Sequence, residues 1–136
     1  MKFSLPIILI LMTLQVTAQS PIGTWKTIDE DSGEARSHVE IYEQEGQLYG
    51  RVTKLLMEDT GIICDQCSGS KKNKPVLGLI IIENLKKDGT SWSKGTILDP
   101  EDGKEYACEI WLEGNNLKVR GKHWTGLYRT QTWYPM

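Results

Sequence analysis

The sequence predicts an all-β chain folded as a small antiparallel up-and-down barrel of about eight strands. Three observations carry that expectation. Apolar side chains recur with period two, clusters of turn-forming residues interrupt them at short intervals, and the connections are too short for crossover helices. Closing such a sheet on itself removes both of its edges, which protects a small all-β protein from pairing with its neighbours. A two-sheet sandwich is the alternative arrangement of the same strands.

At 136 residues there is room for one domain, and a composition of 39% hydrophobic and 25% charged residues is that of a folded globular chain. Residues 1–18 stand apart from it. Lys2 supplies a short positive end, residues 5–12 are apolar apart from Pro6, and Val16-Thr17-Ala18 ends on a small residue. This is the pattern of a secretory signal peptide cleaved after Ala18, too short for a membrane anchor, and no cysteine follows it to carry a lipid. The expected product is a periplasmic or secreted domain of residues 19–136. Lys2 is the one charge removed, which leaves 15 basic against 18 acidic residues. Such a balance offers no affinity for nucleic acid or anionic lipid.

The strands are expected at residues 22–29, 35–43, 47–56, 76–83, 91–98, 104–113, 117–122 and 126–134. The third alternates Leu48, Gly50 and Val52 with Tyr49, Arg51 and Thr53, and the sixth alternates Tyr106, Cys108, Ile110 and Leu112 with Ala107, Glu109, Trp111 and Glu113. Leu117 and Val119 do the same in the seventh. Between strands lie Asp31-Ser32-Gly33, Glu45-Gly46, Lys87-Asp88-Gly89, Asp99-Pro100-Glu101-Asp102-Gly103 and Gly114-Asn115-Asn116, all turn formers. Two segments break the rhythm. Residues 57–75 are longer than a hairpin needs, and the continuous Leu79-Ile80-Ile81-Ile82 run suits a strand covered on both faces or a helical turn toward Leu85.

Three cysteines in an oxidising compartment leave one unpaired. A Cys67–Cys108 bond closes a loop of about 42 residues and is worth about 4 kcal/mol in the chain-entropy model, whereas Cys64–Cys67 is worth about half of that. The expectation is therefore a Cys67–Cys108 disulfide that ties the long loop to the sixth strand, with Cys64 free. Cys64-x-x-Cys67 as a redox pair needs a helix N-terminus within a βαβ unit, which the pattern lacks. A zinc site from the three cysteines and His123 lacks a second closely spaced ligand pair. His38 and His123 lie beside no nucleophile motif, and the acidic stretches around Asp29 and Asp99 do not follow a calcium-loop spacing and read as turns. Glu109 and Glu113 share the outward face with Trp111, away from any interior site. No catalytic residue, metal or cofactor emerges.

A resemblance covers nearly all of residues 19–136. Gly23-x-Trp25, Gly50-Arg51-Val52, Cys67-x-Gly69, Pro75-Val76-Leu77-Gly78, Trp92-x-x-Gly95-x-Ile97-x-Asp99-Pro100-x-x-Gly103-Lys104-x-Tyr106, Leu117-x-Val119-Arg120-Gly121 and Arg129-Thr130-Gln131-Thr132-Trp133 occur in order. Together they resemble the bacterial envelope family known as domain-of-unknown-function family 2147. The resemblance implies a lipocalin-like, or calycin, barrel and export, and it transfers no catalytic residues. Gly23-x-Trp25 also resembles the opening motif of lipocalin barrels, which implies that Trp25 packs at the closed end against a basic residue of the last strand, here Arg129. Lys122-His123-Trp124-Thr125 stands where that family continues with a glycine-containing aliphatic stretch.

Two functions of different class follow. In the first, the barrel binds a small apolar or amphipathic ligand, with Trp25, Val39, Ile41, Tyr106, Ile110 and Arg129 lining the pocket and residues 57–75 as a disulfide-pinned lid. In the second, the core is solid and the protein is an envelope interaction module that uses Trp111 and Trp124 as surface anchors for a protein partner. The enclosed volume distinguishes them.

Overall fold

A computed structural model describes residues 2–12 and 19–136. The expected cleavage point after Ala18 lies outside the described residues. Residues 2–12 form no strand or helix and leave their apolar side chains, Phe3 and Leu5 among them, exposed.

Eight antiparallel strands follow one another around a closed barrel: β1 Gly23–Ile28, β2 Ala35–Gln44, β3 Gln47–Leu55, β4 Ile80–Asp88, β5 Ser91–Leu98, β6 Glu105–Glu113, β7 Asn116–Lys122 and β8 Tyr128–Pro135. The up-and-down barrel is as the period-two pattern predicts, and the sandwich is excluded. Alternation sets the inside from the outside: Leu48, Gly50 and Val52 on β3 are buried and Arg51 and Thr53 are exposed. On β6, Cys108 and Ile110 face inward while Glu105 and Ala107 face solvent.

This topology sorts the connections by length. Tight turns at residues 45–46, 89–90 and 114–115 close one end, whereas the connections 29–34, 56–79, 99–104 and 123–127 all emerge at the other. At the closed end Glu45 and Gly46 both take positive φ, 53° and 77°, which matches the hairpin twist of the flanking strands. The closed half is filled solid. Val39, Ile41, Leu48, Ile82, Leu85, Ile110 and Leu117 have essentially no exposed surface. Gly50 makes room for two of them: a Cβ there would lie 3.1 Å from both Ile41 Cδ1 and Ile82 Cβ.

Strand β4 differs from its expected span of 76–83. Residues 76–79 belong to the preceding loop, and the strand runs on to the hairpin at Asp88 through a bulge in which Asn84 takes φ +60°. The amide side chain tolerates the left-handed conformation and accepts a 2.8 Å hydrogen bond from the Tyr49 hydroxyl. Strand β5 meets the bulge with Gly95, where any side chain would run into the Glu83 carbonyl. A strand with an irregular kink, not a helical turn, therefore carries the apolar run to Leu85.

The seam between first and last strands is the weakest pairing. β1 and β8 are in register only at Trp25 with Pro135 and Lys26 with Tyr134, both toward the closed end. Nearer the mouth the two strands diverge. There the Glu30 carboxylate accepts hydrogen bonds of 2.8 and 2.6 Å from Nε and Nη2 of Arg129 across the gap.

Candidate site: the cavity at the barrel mouth

The long connection, residues 56–79, folds back over the mouth as a knot of its own backbone bonds. Cys64 N–H donates to the Lys74 carbonyl at 2.7 Å, Asn73 N–H to the Cys64 carbonyl at 2.8 Å and Val76 N–H to the Ile62 carbonyl at 3.0 Å. Ile63 pairs with Pro75, and one 3₁₀ turn spans Gly69–Lys71.

The disulfide within this loop corrects the expected pairing. Cys67 bonds Cys64, with Cα atoms 5.3 Å apart, and Cys108 is the free cysteine. Cys67 is held at the mouth against Gly103, whereas Cys108 lies inside the barrel about five residues down β6, roughly 15 Å away along a strand. That exceeds the reach of a disulfide. The larger chain-entropy gain of the long loop has no bearing when the two side chains cannot meet. Burial pushes the Cys108 thiol up to about 12, so it stays protonated. The Cys64-x-x-Cys67 pair sits in an irregular loop, with no helix of more than one turn after it.

Backbone contact, not a cross-link to the barrel, seats the loop. Gly103, in the β5–β6 turn at φ +71°, lets the Gln66 carbonyl and Cys67 amide press so closely that any Cβ would overlap them. Lys71 adds ion pairs to Glu83 at 3.1 Å and Glu105 at 3.8 Å.

Beneath the loop lies a cavity of about 690 Å³. Its depth is apolar: Val52, Leu55, Ile81, Ile97, Val119 and Trp133 come from five strands, and Met57, Ile62 and Val76 from the loop. Its rim is acidic. Asp29, Glu30 and Asp31 from the β1–β2 turn, Asp65 from the long loop, and Asp99, Glu101 and Asp102 from the β5–β6 turn all line it, against two guanidiniums, Arg36 and Arg129. Both arginines are already engaged, Arg129 by Glu30 and Arg36 by Asp29 at 3.4 Å and by Glu101.

The turns explain why carboxylates gather there. Asp29 accepts hydrogen bonds from the N–H groups of Asp31 and Ser32 at 2.9 and 3.0 Å, Asp99 from Glu101 N–H at 2.9 Å, and Asp102 from Lys104 N–H at 2.8 Å. Donation from Ser32 and Asp31 holds the Asp29 carboxyl below its usual range, so it is charged down to acidic pH. Asp102 also accepts a 2.6 Å hydrogen bond from the Tyr106 hydroxyl, which pushes that phenol up to about 12. Among the described residues, no group of three or more His, Cys, Asp or Glu side chains is arranged to hold a metal ion.

Of the residues expected to line a pocket, Tyr106 and Arg129 do line this cavity. Trp25, Val39, Ile41 and Ile110 face inward but are packed into the solid half and are not among its walls. The expected contact between Trp25 and Arg129 does not exist. Trp25 pairs opposite Pro135, six residues and roughly 20 Å along β8 from Arg129, and its indole Nε1 donates to the Pro21 carbonyl at 2.8 Å. Trp111 is half-buried on the outer face beneath the Arg120 guanidinium, 4.9 Å from the ring centre, whereas Trp124 is 88% exposed on the β7–β8 hairpin.

Sequence reasoning missed the acidic rim and the loop side chains Met57 and Ile62. The signal was there: an up-and-down barrel sends alternate connections to one end, so the acidic turns at 29–34 and 99–104 share the mouth with the long loop.

Comparison with known proteins adds the fold and the family. The chain matches no functionally curated protein. Protein HP1028 from Helicobacter pylori, described as belonging to the lipocalin family, superposes with a TM-score of 0.76 over 88% of this chain and 84% of its own, at 19% identity. That likeness is one of fold. Residues 23–134 match the family described as "Uncharacterized protein conserved in bacteria", so this lipocalin-like barrel belongs to domain-of-unknown-function family 2147.

Proposed function

We propose that the protein is an exported, non-enzymatic carrier or sensor that holds a small apolar or amphipathic molecule in the mouth of its barrel. The observation that carries this reading is the cavity of about 690 Å³. Its size falls in the range of small-molecule sites, its depth is apolar and its polar groups sit at the entrance, where they would orient a ligand. The lipocalin-like fold supports the same reading. Export rests on Lys2, the apolar residues 5–12 and Ala18, and makes a periplasmic or secreted location the natural one.

The test uses the folded domain, residues 19–136, with N-phenyl-1-naphthylamine as a fluorescent apolar reporter. Saturable enhancement of its emission, lost when Ile97→Trp fills the cavity without lowering the melting temperature, is the expected result. No saturable enhancement, or enhancement untouched by that substitution, overturns the reading. A co-purifying molecule released from protein made in its native host would then identify the natural ligand by mass spectrometry.

One observation favours a second reading, an interaction module. Trp124, Leu127 and Tyr128 are 88%, 77% and 64% exposed on one hairpin, an apolar display that scattered surface residues do not make. Loss of a cross-linked partner on Trp124→Ala, with stability unchanged, would support that role. An unaltered capture profile would remove it.

A further inference from the structure

Charge at the mouth narrows the class of molecule that can enter. This step rests on reading the cavity as a ligand site. Seven carboxylates line its rim, opposed by two guanidiniums and the His123 imidazole. The two arginines are spent on Glu30, Asp29 and Glu101. Among the described residues, Asp31, Asp65, Asp99 and Asp102 have no basic side chain within ion-pair distance. The side chains of Asp31 and Asp65 accept no hydrogen bond from the described protein either, so the structure does not use them to build a turn.

Aromatic rings line the same cavity, Tyr106 and Tyr128 near the rim and Trp133 deeper. The ring of Tyr128 already carries the Arg120 guanidinium 4.5 Å from its centre on the outer side. Rings and carboxylates around an apolar well are the surroundings that favour an organic cation. A fatty-acid head would meet the opposite: no free guanidinium to pair with and an excess of negative charge at the entrance.

We infer that the cavity selects amphiphiles with a positive head, a protonated amine or guanidinium on an apolar body, the body lying between Val52, Ile97 and Val119 and the head among Asp31, Asp65, Asp99 and Asp102. Depth would supply affinity and the rim would supply the choice of charge. A neutral amphiphile keeps the first contribution and lacks the second.

The experiment compares three probes of equal chain length, n-decylammonium, n-decanol and n-decanoate, each titrated against the domain by calorimetry at low salt. Decylammonium should bind about tenfold tighter than decanol, with decanoate weakest, as expected for a head a few ångströms from carboxylates in a partly aqueous site. In about 1 M salt, where screening acts over about 3 Å, that preference should fall to about twofold while decanol binding holds. The double variant Asp31→Asn with Asp65→Asn should reduce the preference, read as the ratio of decylammonium to decanol affinity, several-fold, since neither carboxylate supports the fold. Decanol or decanoate binding as tightly as decylammonium overturns the choice of charge while leaving the cavity a ligand site. A cation preference that ignores both salt and the double variant also overturns it. Binding of none of the three overturns both readings together.

Discussion

Replacing Gly103 by alanine isolates the contact that seats the long loop over the cavity. Two penalties are expected at this position. Its φ of +71° disfavours any side chain, and the new Cβ would overlap the Gln66 carbonyl and the Cys67 amide. Gly33 supplies the control, because it has nearly the same φ, +73°, at the same end of the barrel, yet a Cβ there meets nothing within 4 Å. Gly33→Ala should therefore cost only the left-handed strain, about 1 kcal/mol. Gly103→Ala should cost that strain plus the displacement of the loop, which uncovers Met57, Ile62 and Val76 over the cavity. Uncovering part of three apolar side chains adds about 2 kcal/mol, for a total of about 3. Urea unfolding of both variants measures the difference, and thermal midpoints should fall by about 4 °C for Gly33→Ala and about 12 °C for Gly103→Ala. Equal losses would refute the reasoning, since the loop would then owe nothing to the close approach at Gly103.

Further outcomes follow from the same geometry. Cys108 should resist iodoacetamide at pH 8 in the native protein and react once in denaturant with the disulfide intact; a label found on Cys64 instead would restore the Cys67–Cys108 pairing. Replacing Cys64 and Cys67 together by serine should lower stability by about 2 kcal/mol, the value for a four-residue loop, and a loss near 4 would contradict so small a ring. The Tyr106 phenol, held by Asp102, should ionise near pH 12 when followed by ultraviolet absorbance, and Asp102→Asn should bring it down toward 10. Because its folded pKa is raised, the stability this hydrogen bond contributes is whole below about pH 10 and is lost as pH rises through about 12. A midpoint near 10 in both proteins would mean that the bond does not form in solution.

The strands were legible because one buried face stamps period two onto the sequence, as in Leu48-Tyr49-Gly50-Arg51-Val52. Where both faces are covered the stamp fades. Leu79-Ile80-Ile81-Ile82 does not say which of its residues begin a strand, and the Asn84 bulge, which depends on Gly95 of the next strand, leaves no local pattern at all. The disulfide was misjudged for a related reason. Loop-closure entropy ranks pairings by their separation in the chain, while the separation in space of Cys67 and Cys108 depends on how far down β6 the loop reaches. Alternation turns Tyr106 inward, while the resemblance sets Arg129 against Trp25 at the closed end; both residues line the cavity at the mouth, and alternation reports only inward against outward. It does not say which inward side chains border open space: Val39 and Val52 are register partners, as are Ile110 and Val119, yet only Val52 and Val119 line the cavity. Asp29, Asp99 and Asp102 do form turns, as the sequence suggests. Their second role emerges only when the turns are assigned to ends of the barrel.

The short register between β1 and β8 also bears on how the barrel forms and breathes. Trp25 and Pro135 are separated by about 110 residues, so joining them costs about 2.5 kcal/mol more in loop-closure entropy than joining a hairpin. All eight strands can assemble through the seven pairings of chain neighbours, and none of those steps depends on this one. The seam is then the last to zip and the first to part, and the backbone amides that join β1 to β8 around Trp25 and Lys26 should exchange with solvent well before those of β6 and β7. A fluctuation of that kind would slit the wall of the cavity along its length and give a ligand longer than the mouth a sideways route in.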